Sequence, residues 1–477
     1  MKNLTKACLM LGIIGLTALC SFAQFPIKID KTIKDVTRVV NSGTQAVASL
    51  GMLVNTAKRT SAEFDKTVVV DNSETPKPVA PPKKEITEPK FKKGTFTNID
   101  WEPVTYFDGQ LFPSMIISMA DYKGDVGTPS MKALKSSALG FRFISKASYM
   151  PVKWEIESTD KSYFDTIGGD YTFQQSGQER YFMPNIPWNM SVLAKQSSST
   201  TLNIIFRLID DDGNKVEKSV PVLVRSVNDC IFQYKDLDLQ FLFAAFIQEQ
   251  HPEIDKILQE ALATKTIAAI TGYQWGPEET KKQVAAVWRV LHDRGFQYSS
   301  ISAAKQLGGA NIASQQVRTF DNAIRTNQAN CIDGAVVLAS ILRAIGIRTM
   351  IVTQPGHAYL GYYPSNEPGT KPVFLETTML GDPVVFSQAQ PPAPKTPAKT
   401  PVAKNAPKTT AAKAAAAKTA ADKVQERLIA AKNQAYMVHF ERALQSGQSK
   451  YDKNSVLNQV NVIDVNLYRQ VVRPLPF

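Results

Sequence analysis

The spacing of hydrophobic residues changes near residue 230 and divides the chain into two differently built parts. Between residues 95 and 227, short runs of apolar, β-branched and aromatic residues are bounded by turn residues, a composition typical of strands. The predicted strands are 139–144, 151–156, 190–194, 202–209 and 215–224. From Phe232 onward, apolar residues recur at helical spacing, which predicts helices over 236–249, 252–263 and 277–294. A strand-rich domain is therefore followed by one that begins with helices.

The strand-rich residues 95–228 predict a β-sandwich of immunoglobulin-like type, because several short strands alternate with turns. Residues 210–214 (DDDGN) are the expected loop of a hairpin, in which Gly213 supplies the turn conformation. The consecutive aspartates are also compatible with a calcium site. We favour a solvated turn, because short acidic hairpin loops seldom bind a metal.

A further helix is predicted to begin at Cys331. Asn330 is a good N-cap, and Asp333 places a carboxylate where it stabilises the first turn. The apolar face is formed by Leu338, Ile341, Leu342 and Ile345. Gly346 ends the helix. The sulfur of Cys331 is thus expected in the first turn, where unpaired N–H groups and the helix dipole favour a thiolate.

Three strands are predicted after this helix, over 348–353, 357–363 and 372–376. His357 begins the second strand and Glu376 ends the third. If these two strands pair antiparallel, the two side chains fall side by side, and packing on the helix brings both to Cys331. A cysteine, a base and a group that orients the base are the three parts of a nucleophilic catalytic site.

Residues 327–378 resemble the transglutaminase-like superfamily of papain-fold cysteine enzymes, in the form common in bacteria. The matching positions are Cys331, Asp333, Ala335, the LRAIGI run at 342–347, His357-Ala358-Tyr359 and Glu376-Thr377-Thr378. Two positions depart from the family pattern, since Glu376 stands where Asp is usual and Tyr359 where Trp is frequent. Residues 295–298 (GFQY) resemble an element upstream of the family's nucleophile and extend the likeness, less specifically, to about residue 230.

The resemblance implies an α+β fold, with a transglutaminase-like, papain-type catalytic domain over 229–390 preceded by the immunoglobulin-like β-sandwich. It implies an exported enzyme that acts on peptide or isopeptide amide bonds, with Cys331 as nucleophile, His357 as base and Glu376 orienting the imidazole. Hydrolysis and acyl transfer both stay open, and so does an inactive member that serves as a binding or secretion-associated scaffold. Candidate oxyanion donors are the backbone N–H of Cys331 and the side chain of Gln328. No cofactor is implied.

Residues 1–23 carry lysines, an apolar run and a small-x-small ending, and they are interpreted as a signal peptide. The protein is then periplasmic or secreted, and the mature chain begins at Gln24 without a transmembrane span. Cys20 raises the alternative of a lipoprotein, which Leu19 disfavours because lipidation signals need a small residue there. Residues 24–72 predict a helical segment, and we favour its packing on the body over a membrane-surface anchor.

Two lysine-rich stretches carry much of the formal net charge of +12 in this chain of 477 residues. Residues 73–94 predict an extended Pro/Lys linker, and 391–423 a disordered Lys/Ala/Pro insertion that is helical toward its end. Residues 424–477 predict a helix followed by a strand and a short helix that return to the body. Export argues against a nucleic-acid partner; we favour solvated spacers over binding of an anionic envelope polymer.

Four cysteines occur, and Cys8 and Cys20 belong to the signal sequence. Cys230 and Cys331 remain, and a disulfide between them would remove the nucleophile. We favour a free Cys331 and a small, buried Cys230. The other histidines, His251, His292 and His439, lack the spacing of metal ligands, so packing or surface roles are expected and no metal site is predicted.

Overall fold

The computed structural model describes residues 68–69, 98–123, 138–210, 213–300, 305–306, 311–386 and 410–476. All of them belong to one compact unit, Thr67–Phe477, of mixed α+β composition. The predicted signal peptide (1–23) and linker (73–94) lie outside the described residues. So does the predicted helical segment (24–72), apart from a strand at Val68–Val69.

The first part of the unit is built from two sheets. Its strands are β1 (Val68–Val69), β2 (Ile99–Thr105), β3 (Gln110–Leu111), β4 (Leu139–Ser145), β5 (Met150–Ser158), β6 (Ile167–Phe173), β7 (Glu179–Phe182), β8 (Thr200–Ile209) and β9 (Lys215–Val224). They pair in the orders β1-β7-β4-β2 and β3-β9-β8-β5-β6. Phe141 of the first sheet packs edge-on against Phe206 of the second, with ring centroids 5.4 Å apart. Two stacked sheets with an aromatic core agree with the strand-rich pattern, whereas the immunoglobulin-like arrangement stays a prediction.

Residues 190–194 form a helix and not the predicted strand. Two short helices accompany the sheets, α1 (Pro113–Ser118) and α2 (Met190–Ala194). The side chain of Asn189 accepts a hydrogen bond from the backbone N–H of Ser191 at 3.2 Å, which caps α2. Leu193 is the only fully buried residue of α2, so the segment lacks the alternating buried face of a strand. The strand prediction was wrong because it was based on composition, whereas the cap at Asn189 stabilises a helix here.

The helical part begins differently from the prediction. Residues 236–249 form a short strand, β11 (Leu237–Asp238), and a 3-10 helix (Gln240–Phe246) where an amphipathic helix was expected. The side chain of Asp238 accepts the N–H of Gln240 at 2.9 Å and so fixes the turn between them. All residues from Phe241 to Phe246 are buried, so the segment has no polar face for an amphipathic helix.

The next two helices are found where they were predicted, as α3 (Glu253–Ala263) and α4 (Pro277–Asp293). Pro277 lies in the first turn of α4, where its missing N–H costs nothing. Gly295 follows the end of α4 with a φ of +79°, a conformation that glycine adopts without strain. The chain then continues toward the candidate site through a two-residue strand, β12 (Gln297–Tyr298).

Three small sheets and a helix surround the candidate site. The remaining elements are β10 (Asp229–Tyr234), β13 (Lys305–Gln306), β14 (Ile312–Gln316), α5 (Phe320–Thr326), β15 (Gln328–Ala329), α6 (Cys331–Ala344), β16 (Thr349–Gln354), β17 (His357–Tyr362), β18 (Val373–Leu375), α7 (Thr410–Val456), β19 (Asn461–Asp464) and α8 (Val465–Tyr468). The sheet orders are β11-β10-β14-β13, the parallel pair β12-β15, and β18-β17-β16-β19. The last sheet packs on α6, whose residues 332–342 are all buried.

The long helix α7 ties the C-terminal part of the chain to this last sheet. It packs against β18 so closely that a Cβ on Gly447 would lie 2.6 Å from the carbonyl oxygen of Phe374. The backbone N–H of Glu376 also donates to the carbonyl oxygen of Ala443 at 3.1 Å. The predicted helix, strand and short helix of residues 424–477 are confirmed. Within the insertion at 391–423, residues from Thr410 onward are helical and residues 391–409 lie outside the described ranges.

No helix in the described part of the chain is both long and apolar enough to cross a membrane.

Candidate active site

Helix α6 begins at Cys331 as predicted, and a complete capping box holds its first turn. The side chain of Asn330 accepts the N–H of Asp333 at 2.9 Å, and Asp333 accepts the N–H of Asn330 at 3.0 Å. Asp333 is fully buried. Its carboxylate also accepts the backbone N–H of Arg318 at 2.8 Å and its guanidinium at 2.6 Å. This ion pair between the buried Asp333 and the partly exposed Arg318 fixes the turn that carries the sulfur of Cys331.

His357 and Glu376 lie next to each other, as the strand pattern predicted. Strands β16 and β17 form a hairpin in which Gln354 pairs with His357, and β17 pairs antiparallel with β18, which ends just before Glu376. The Nε2 atom of His357 lies 2.7 Å from Oε2 of Glu376. The Glu376 side chain is only 1% exposed, so water competes little for this bond.

Cys331 and His357 line the same cavity, and an interaction with the Cys331 side chain contributes to the pKa of the His357 imidazole. Burial lowers the pKa of His357, but the hydrogen bonds with Cys331 and Glu376 and the carboxylate charge outweigh it and raise that pKa to about 9. Cys331 is half-buried, and the imidazole can therefore exchange a proton with a thiol that a substrate can reach. Cys331, His357 and Glu376 therefore belong to one site, in which the recorded side-chain hydrogen bond joins His357 to Glu376.

Two further groups stabilise the carboxylate of Glu376. Thr378 donates from its backbone N–H at 3.0 Å and from its hydroxyl at 2.6 Å, both to Oε1. The ammonium of Lys450, on α7, donates to Oε2 and lies 3.3 Å from Nε2 of His357. Burial raises the pKa of Glu376, but the bonds from His357, Lys450 and Thr378 dominate and lower that pKa to about 2. Glu376 is therefore ionised throughout the physiological range.

Thr377 connects the carboxylate segment to the helix that bears the cysteine. Its hydroxyl donates to the carbonyl oxygen of Cys331 at 3.2 Å. The two segments touch because Gly334, one turn further along α6, has no side chain: a Cβ there would lie 3.1 Å from Cβ and Oγ1 of Thr377. The spacing between Cys331 and Glu376 thus depends on Gly334, which is not among the positions that match the family pattern.

Sequence reasoning missed three residues of this site. Arg318 precedes Cys331 by 13 residues and Lys450 follows it by 119, and neither has a local pattern that marks it. Tyr298 lies in the GFQY segment that was noted only for its resemblance; β12 pairs parallel with β15 and brings it to the site. Partial burial and the neighbouring Cys331 and Glu376 raise the pKa of Tyr298, although its side chain is about half exposed.

A cavity of about 720 Å³ lies against Cys331 and His357. Its lining includes Tyr298, the first residues of α6 and the turn between β16 and β17. Gln328, the candidate oxyanion donor, is exposed on β15 and does not belong to this lining. Its proposed role receives no support from its location.

Both described cysteines are free, which confirms the interpretation that they form no disulfide. Cys230 is completely buried, and burial raises the pKa of its thiol well above the ordinary value. His439 accepts a hydrogen bond from the indole of Trp288 at 3.1 Å, and His292 lies 3.0 Å from the carbonyl oxygen of Asp382. Within the described ranges, no cluster of three or more His, Cys, Asp or Glu side chains could hold a metal.

The carboxylate of Asp210 binds within its own turn, since it accepts the N–H and the side-chain amide of Asn214 at 2.8 and 2.9 Å. The alternative of a calcium site also involves residues 211–212, and these lie outside the described residues.

A comparison of the chain with protein-family models, with curated proteins and with solved structures finds no match.

Proposed function

We propose that this protein is an exported cysteine enzyme of the transglutaminase-like, papain-fold type that cleaves or transfers peptide or isopeptide amide bonds. The observation that carries the proposal is the hydrogen bond between His357 and the buried Glu376 at an open cavity that both Cys331 and His357 line. A nucleophile, a base in contact with it and a buried carboxylate that orients the base are the parts that thiol catalysis needs. The immunoglobulin-like assignment of the preceding sheets and the export from the cell belong to the same proposal.

The proposed reaction has two halves. The thiolate of Cys331 attacks the carbonyl carbon, the imidazolium of His357 donates its proton to the leaving amine, and the C–N bond breaks to give a thioester. Water or a second amine then attacks the thioester, His357 accepts its proton, and the C–S bond breaks to regenerate the thiolate. The carboxylate of Glu376 holds the imidazole ring in one orientation throughout. The backbone N–H of Cys331, in the first turn of α6, is a donor for the oxyanion.

The rate of thiol alkylation tests this proposal. The intact protein is treated with iodoacetamide between pH 5 and 9, and the labelled peptides are quantified by mass spectrometry so that Cys331 and Cys230 are read separately. We expect Cys331 to react at neutral pH at least about tenfold faster than a model thiol, because its imidazolium partner stabilises the thiolate. Buried Cys230 is the internal control and should stay unlabelled in the folded protein.

The variant His357→Gln should lose the fast alkylation of Cys331, whereas His251→Gln, outside the site, should keep it. An alkylation rate of Cys331 no greater than that of a model thiol, in a protein that melts normally, would refute the catalytic proposal.

A second candidate function is that of a binding or secretion-associated scaffold that keeps the fold without the reaction. The observation that favours it is the contact of Lys450 with the same carboxylate oxygen that orients His357. The ammonium of Lys450 therefore competes with the imidazole of His357 for interaction with the carboxylate of Glu376. The alkylation experiment separates the candidates, because a scaffold needs no reactive thiol.

A further inference from the structure

Apart from Cys331 and His357 themselves, the lining of the cavity beside Cys331 carries no charged side chain and combines carboxamides with apolar residues. Three asparagines and four glutamines contribute to it, among them Gln240, Gln354, Gln459 and Asn461. Among the lining residues that the structure describes, none is Asp, Glu, Lys or Arg. The lysine of the site, Lys450, contacts Glu376 and His357 and is not part of the lining.

One part of the lining is aromatic. Phe232 of β10 and Phe243 of the 3-10 helix stack with ring centroids 6.0 Å apart and an interplanar angle of 26°. Both rings line the cavity, and Phe243 is 5% exposed. Together with Val460 they offer an apolar surface on which a large apolar side chain can be buried.

The carboxamides have hydrogen-bonding capacity to offer. The carbonyl oxygen of the Gln240 side chain accepts the hydroxyl of Thr353, so its amide N–H groups are the donors that it presents. The amide nitrogen of Asn461 donates to Asp238 at 3.0 Å, which leaves its carbonyl oxygen as an acceptor. A carboxamide pairs well with the N–H and C=O of a peptide backbone but cannot neutralise a buried charge.

From this lining we infer that the acyl substrate is an uncharged peptide segment with a large apolar side chain next to the bond that Cys331 attacks. The inference rests on the proposed function and specifies its substrate class. The aromatic pair Phe232–Phe243 receives the apolar side chain, and the carboxamides bind the peptide backbone. A lysine or aspartate side chain against Phe232 and Phe243 would lose its hydration, because these two rings supply no opposite charge.

Calorimetric titration of the full chain bearing Cys331→Ala tests the inference by binding alone. The probes are capped peptides, acetyl-Gly-Xaa-Gly-Gly-amide, in which Xaa is Phe, Lys, Asp or Gly. The Phe peptide is expected to bind at least about tenfold tighter than the Lys and Asp peptides, because these would have to bury an unpaired charge. Equal affinities, or no measurable binding of the Phe peptide, would overturn the inference. So would displacement of that peptide by an uncharged N-acetylated oligosaccharide at the same concentration.

Two pairs of variants locate the site. In the same background, Phe243→Ala should remove the preference for Phe, whereas Phe241→Ala, on the same 3-10 helix but outside the lining, should retain it. Melting curves establish that both variants fold. Gln459→Glu changes an exposed residue and should increase the affinity for the Lys peptide a few-fold, as expected of an exposed ion pair. Gln178→Glu, at another exposed position, is the surface control and should leave this affinity unchanged. No effect of Gln459→Glu on the Lys peptide would also count against this site.

The outcome is independent of the alkylation experiment. Fast alkylation of Cys331 without peptide selectivity would keep the cysteine chemistry and refute the substrate class. Selective binding together with an inert thiol would keep the site as a binding site and refute the catalytic proposal.

Discussion

Lys450 contacts the same carboxylate oxygen of Glu376 that lies 2.7 Å from the imidazole of His357. Two cations therefore share one buried anion. Because Nε2–H of the imidazole donates to Glu376, that nitrogen cannot accept from the ammonium 3.3 Å away, and the Lys450–His357 contact is repulsive when both groups are charged. The charge of Lys450 thus lowers the pKa of His357, whereas Cys331 and Glu376 raise it.

Removing this lysine should raise the pKa of His357 above its wild-type value of about 9. We expect Lys450→Met to move the NMR titration of the His357 ring proton upward by roughly half a pH unit or more, since a repulsive charge is lost. His357→Gln assigns the resonance by its disappearance. Lys453→Met, an exposed lysine on the same helix, is the matched control and should leave the titration unchanged. A downward shift in Lys450→Met would contradict the repulsion.

The stabilisation by Glu376 should depend on pH in a defined window. The pKa of Glu376 is lowered from 4.5 to about 2, so its contribution is fully present above pH 4.5 and is lost as the pH falls through 2. The pKa of His357 is raised from 6.5 to about 9, so its contribution is fully present below pH 6.5 and is lost as the pH rises through 9. The stabilisation by the pair is therefore largest between pH 4.5 and 6.5.

Urea unfolding of the wild type and Glu376→Gln checks this window. The difference in the free energy of unfolding should be on the order of 3 kcal/mol at pH 5.5 and should become smaller both at pH 3 and above pH 9. Glu367→Gln, an exposed glutamate in the loop before β18, is the control and should show a small difference at every pH. A difference that stays constant from pH 3 to 10 would mean that Glu376 acts through packing and not through its charge.

The ion pair of the buried Asp333 with Arg318 should be necessary for the first turn of α6. Asp333→Ala removes the acceptor of the Asn330 N–H and leaves the guanidinium without its partner, which should lower the free energy of unfolding by about 3–5 kcal/mol. Asp321→Ala, an exposed first-turn acid of α5, should change it by less than about 1 kcal/mol. Equal effects of the two substitutions, measured by urea unfolding, would show that burial of the pair is unimportant.

The close contact between α7 and β18 should tolerate no side chain at Gly447. Alanine favours helices by about 1 kcal/mol over glycine, yet its Cβ would meet the Phe374 backbone at 2.6 Å. We therefore expect Gly447→Ala to lower the melting temperature and to disturb the position of Lys450, one turn further on. Gln445→Ala, at an exposed neighbouring position, should leave the melting temperature nearly unchanged. A stabilised Gly447→Ala would contradict this contact.

Local patterns were sufficient for the parts of the site that are close in sequence. The capping box at Asn330 and Asp333, the helix from Cys331 and the strand that begins at His357 each depend on residues a few positions apart, and each was found where it was predicted. Composition misled the prediction at 190–194, where a side-chain cap gives a helix, and apolar spacing misled it at 236–249, where a 3-10 helix with six buried residues replaces the expected amphipathic helix.

The sequence by itself thus determined the polar triad, its order and the secondary structure that carries it, because hydrogen bonds within a turn or along a strand are written in neighbouring residues. The tertiary structure alone decided which distant groups surround the triad. Lys450 reaches Glu376 only because α7 packs on β18, and Arg318 reaches Asp333 only because its segment packs on α6. Such contacts depend on the packing of whole elements, which leaves no periodic signal at the residues that finally touch.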